Sequence, residues 1–174
     1  MMEKGVAEGS WNSVETQESG GRVTLEKSFV FAAVDFSAVG PPLNCLTVVT
    51  DGAWRVEAKM GAAAWVWDAG GGSGVESQVM VMPALSASVT EVFAGVMFLR
   101  WALEHDFREV VIRTDCLCFV SGLSNVSEAT FSVQAVLLDF LHLCANFRYV
   151  KVVKVSRMVV RAAHVLARHA LATV

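Results

Sequence analysis

The sequence predicts an α/β domain: a five-stranded mixed sheet with helices on both faces. Three observations carry this. From Leu46 onward, three short apolar runs are separated by turn residues. At Ser86 the apolar spacing lengthens toward a 3.6-residue period. Two further apolar runs then alternate with helical segments to the C-terminus. Hairpin-joined strands followed by strand–helix units make a sheet in which antiparallel and parallel pairs coexist.

The elements follow in order. Residues 1–40 are expected to be a disordered tail or linker, because Met1–Gly21 is rich in Gly, Ser and Glu without apolar period. The apolar run Phe29–Phe36 reads as a loosely packed strand or the remnant of another segment, and Gly40-Pro41-Pro42 marks a boundary. The domain is expected over 41–174. Leu46–Thr50 is β-branched and ends at Asp51-Gly52, a turn signal. Gly61–Trp67 runs to the Gly70-Gly71-Gly72 turn, and Val75–Met82 stops at Pro83. Ser86–His105 places Val89, Val92, Phe93, Val96, Met97, Leu99 and Leu103 on a helical repeat, with Ser86 or Ser88 as cap. Glu109–Arg113 is a short buried strand. Asp115–Leu123 and Thr130–Cys144 are helices, Phe147–Val155 is the fifth strand and Val159–Leu171 the closing helix.

Composition narrows the function classes. Apolar residues form 54% of the 174 and charged residues 18%, which excludes disorder for most of the chain. The net charge of -3 gives no global attraction for nucleic acid. The charge is one-sided, however. No acid follows Asp139, whereas Arg148, Lys151, Lys154, Arg157, Arg161 and Arg168 do. That segment suits a phosphate backbone, or is simply a solvated face. Cys45, Cys116, Cys118 and Cys144 form no C-x-x-C pair and no zinc spacing, which suits reduced thiols of an intracellular protein, nuclear or cytoplasmic. No apolar stretch is long enough for a membrane helix, and Glu3, Glu8, Glu15 and Glu18 argue against a transit peptide.

Four segments carry a resemblance: Thr50-Asp51-Gly52-Ala53-Trp54; Thr90-Glu91 followed by Leu99-Arg100-Trp101-Ala102-Leu103; Val111-Ile112-Arg113-Thr114-Asp115; and Arg157 followed by Ala163-His164-Val165-Leu166-Ala167. Together, in order and at the usual spacing, they resemble type 1 ribonuclease H domains, closest to plant domains related to non-LTR retroelements. The resemblance covers about three quarters of the chain. It implies a sheet whose first and fourth strands lie side by side, bringing Asp51, Glu91 and Asp115 together as metal ligands. It also implies two Mg²⁺ or Mn²⁺ ions and cleavage of the RNA strand of an RNA/DNA hybrid. Lys151, Lys154, Arg157 and Arg161 would lie beside the phosphates.

The sequence departs from the family at the last helix. The usual fourth acid is His164, and the usual Asn or Asp four residues earlier is Val160. His164 is a poorer ligand for Mg²⁺ than a carboxylate, a proton carrier, or a satisfied surface histidine. Each acid also has a plain reading, Asp51 as a turn residue, Asp115 as a helix cap and Glu91 as an acid at a helix edge, but with their flanking motifs all three are read as metal ligands. The competing functions are a hybrid-cutting endonuclease, a weak or inactive nucleic-acid-binding module of retroelement origin, and an interaction domain whose acids are coincidental. A monomer is assumed.

Overall fold

The computed structural model describes residues 28–32, 45–68 and 75–174. Six strands form one sheet: β1 (Ser28–Ala32), β2 (Leu46–Arg55), β3 (Met60–Asp68), β4 (Val75–Pro83), β5 (Glu109–Thr114) and β6 (Tyr149–Lys154), in the order β1-β6-β5-β2-β3-β4. The helices are α1 (Ala87–Glu104), α2 (Leu117–Ser124), α3 (Phe131–Cys144) and α4 (Arg161–Ala172), with a 3-10 turn at Val126–Glu128.

Strands β2 to β6 are the five expected. Strands β2, β3 and β4 form the antiparallel meander, while β5 pairs in parallel with both β2 and β6. A sixth strand joins them. Residues 28–32 overlap the Phe29–Phe36 run read as a loosely packed strand or a remnant, and they extend the sheet in parallel, Ser28 opposite Tyr149 and Ala32 opposite Val153. Without β1, the backbone groups along that edge of β6 would have no partner strand. The rest of the expected tail, the Gly40-Pro41-Pro42 break and the Gly70-Gly71-Gly72 turn lie outside the described residues.

Period-two alternation separates two cores. On one face, Leu46, Val48, Ala63, Trp65, Val110, Ile112, Val150 and Val152 bury against α1, α2 and α3. Helix α1 is buried around much of its circumference because it lies between the sheet and α3. Ser86 starts it: its hydroxyl accepts the Val89 backbone N–H at 3.3 Å. Trp65 packs edge-on against Phe98 and donates to Gln78, its cross-strand neighbour. On the other face, α4 lies on β2, β3 and β4 through Ala53, Ala62 and Ala64 against Ala167 and Leu171. Small side chains there let the helix approach the sheet closely.

The Asp51-Gly52 turn does not occur. Strand β2 runs through both residues, which pair with Ala64 and Ala63, and the chain turns only after Arg55. A glycine within a strand often marks a close backbone approach, and that is its role here. A Cβ on Gly52 would stand 2.7 Å from the Glu91 backbone nitrogen and 2.8 Å from the Thr90 carbonyl carbon.

Candidate metal centre

Each acid reaches the site from a different element. In β2, Leu46 and Val48 face α1 while Ala53 faces α4, so Asp51 also points to the α4 side. It is 2% exposed. Strands β2 and β5 pair in parallel as far as Val49 and Arg113, so two steps on Asp51 and Asp115 sit at neighbouring strand positions. Asp115 follows the last residue of β5. It is not the cap of α2, a position held by Cys116. Glu91 lies in the first turns of α1, held against β2 by the missing side chain of Gly52.

One carboxylate oxygen from each of Asp51, Glu91 and Asp115 lies within 4.8 Å of the others. His164, on the first turn of α4, completes the group: its Nδ1 stands 2.6 Å from Asp51 Oδ2. Arg157 Nε is 3.9 Å from Asp115 Oδ2.

Three acids this close repel one another, and burial adds to the cost of charge. Burial, then the Asp51 charge, pushes the Glu91 carboxyl up to about 9. Burial also raises Asp51, with the Asp115 charge adding to it; hydrogen bonds from His164 and Glu91 oppose the rise. Without a cation, therefore, Glu91 holds a proton and donates it to the Asp51 carboxylate. Glu91 Oε2 is buried with no hydrogen-bond partner. An orphaned hard oxygen beside two further carboxylates fits a divalent oxygen-seeking cation such as Mg²⁺ or Mn²⁺.

The basic residues expected to act together divide. Val150 and Val152 face the α1 core, so strand alternation sends Lys154 to that side and Lys151 to the other. Arg161 is exposed at the start of α4. Arg157 adjoins the acids through its ion pair with Asp115. Val160 is fully buried and precedes α4 with no side-chain cap bond, so an apolar contact replaces the polar cap. Sequence reading passed over Arg55, and left Arg168 off the site. Both line a pocket beside His164. Two signals could have found them: Arg55 shares the strand face of Asp51, four residues on, and Arg168 lies one helical turn beyond His164.

The sheet order, the flanking helices and the acidic cluster define a ribonuclease H-like domain. Residues 49–170 match the family described as reverse transcriptase-like, and the chain belongs to that family. The fold is similar to that of RNase H1 from the halophilic archaeon Halobacterium salinarum, with a TM-score of 0.67 and 20% identity over 75% of this chain and 100% of that one. It is also similar to the N-terminal RNase H domain of a Mycobacterium tuberculosis protein, solved fused to maltose binding protein, with a TM-score of 0.61 and 18% identity over 71% and 98% of the two chains. LC11-RNase H1, isolated from compost by a metagenomic approach, aligns with a TM-score of 0.64 and 17% identity over 75% and 98%. No curated protein gives a significant match.

Proposed function

We propose that this chain is a divalent-metal-dependent endonuclease that hydrolyses the RNA strand of RNA/DNA hybrids. One observation carries the reading: three carboxylates from β2, α1 and the end of β5 converge within 4.8 Å, and one buried oxygen among them has no partner. Asp51, Glu91 and Asp115 would hold two Mg²⁺ or Mn²⁺ ions, which when bound supply an activated water and stabilise the leaving oxygen. Glu91 would have to lose its proton to serve as a ligand. His164 steers Asp51 through the hydrogen bond at its Nδ1. Arg157 offsets charge beside Asp115, and Lys151, Lys154 and Arg161 contribute longer-range attraction for phosphates. We place this activity in a monomer inside the cell, in nucleus or cytoplasm, and in the domain expected over 41–174, to whose sheet β1 adds a strand.

The test is a gel assay of a labelled hybrid in Mg²⁺ and in Mn²⁺. Wild type is expected to cut the RNA strand, with Mn²⁺ more effective because imidazole replaces the fourth acid. Asp51→Asn, Glu91→Gln and Asp115→Asn should each be silent.

A second reading is favoured by one specific observation. His164 already engages Asp51 Oδ2, an oxygen that a metal would need. A module that binds hybrids without cutting them would retard the hybrid on a gel and leave it intact in both metals.

A further inference from the structure

We propose that the open pocket between β2 and α4 is a phosphate subsite, taking a backbone phosphate of a nucleic-acid strand next to the one at the carboxylates. This rests on the nucleic-acid reading above and extends it to residues outside the acidic cluster. The pocket measures about 390 Å³ and is lined by Gly52, Trp54, Arg55, Arg157, His164 and Arg168, among others. Three arginines face it, and among the described residues no carboxylate lines it.

Of the three arginines, only Arg157 has a carboxylate partner among the described residues, Asp115. Neither Arg55 nor Arg168 has a carboxylate within ion-pair distance among the described residues. Arg55 is half-buried, and its Nη2 donates 2.8 Å to the Leu171 carbonyl at the end of α4. A cation near a helix C-terminus is favourable there. That accounts for Arg55 alone, and not for Arg157 and Arg168 converging on the same space. Arg157 and Arg168 are exposed, so burial does not hold them there; the planar fork of each matches the oxygens of a phosphate.

Position fixes which phosphate. Gly52 and His164 line the pocket and also border the acids, with His164 bonded to Asp51. Arg157 reaches from the pocket to Asp115. A strand laid across the acids therefore meets the arginine pocket next. A phosphate contact there would set the strand's register without reading its bases.

The test measures binding of a short labelled RNA/DNA hybrid by fluorescence anisotropy, in EDTA to prevent cleavage, over a salt series. Arg168 is exposed, so its replacement should leave the fold intact. Arg168→Gln is expected to weaken binding about tenfold and to lower the log–log salt slope by about one. Arg168→Lys should keep the slope and regain only part of the affinity, because it restores charge without the fork. Arg100→Gln, an exposed arginine on α1, should change neither. If Arg168→Gln binds like wild type with the same slope, the subsite is overturned while the nucleic-acid reading stands. If wild type binds no hybrid even at low salt, both fall.

Discussion

Replacing Glu91 by Gln should make the metal-free protein more stable, and the gain should depend on pH. In the unfolded chain the carboxyl titrates at its ordinary value of 4.5, while in the fold burial and the Asp51 charge move it to about 9. Between these values the folded state holds a proton that the unfolded state has released. Stability therefore falls as pH rises through that window and levels off above it. At pH 7 the penalty is the free energy of keeping the carboxyl protonated 2.5 pH units above 4.5, about 3 kcal/mol at ~1.36 kcal/mol per unit. Gln keeps a donor toward Asp51 and carries no charge, so it escapes this penalty. For a domain of this size the gain corresponds to a rise in Tm of roughly 6–12 °C. Thermal melts in EDTA from pH 4 to pH 9 would show the two proteins equal at the acidic end and diverging above it. Added Mn²⁺ should narrow or reverse the gap, because only wild type retains all three ligands. Parallel curves with no gain at pH 7 would refute the argument that Glu91 is a buried, repelled carboxyl.

Gly52→Ala should push α1 away from β2, since the new methyl would meet backbone atoms of Thr90 and Glu91 that cannot rotate aside. A loss of about 1–3 kcal/mol in urea unfolding and weaker Mn²⁺ binding by calorimetry are expected; unchanged metal affinity would detach Glu91 from the site. His164→Asp should raise Mg²⁺-dependent hybrid cleavage by supplying a harder ligand beside Asp51. An equal or lower rate would count against a metal-site role for that position. Ser86→Ala should cost about 1 kcal/mol by removing the α1 cap. Equal denaturation midpoints would show that the cap bond contributes nothing.

The elements legible in the sequence were those with a strong local signal. The α1 period, its Ser86 cap and the alternating apolar strands recur in the structure within a few residues of expectation. Asp51-Gly52 misled because Asp-Gly is a turn pair by local propensity, whereas here the glycine serves a helix that arrives from elsewhere in the chain. The β1 strand was ambiguous for a related reason. A short apolar run says nothing about which edge will pair with it, and the β6 edge exists only once the sheet is built.

The sequence by itself determined the order and kind of the elements from β2 to α4, because periodicity is written locally in the side chains. It also singled out Asp51, Glu91, Asp115 and His164 through their flanking motifs. Only the tertiary structure decided that His164 bonds Asp51, that Lys151 and Lys154 part company, and that Arg55 joins Arg157 and Arg168 around one pocket. Such relations depend on strand register and on where a helix comes to rest. Those are set by the packing of segments far apart in the chain, and no local stretch of residues encodes them.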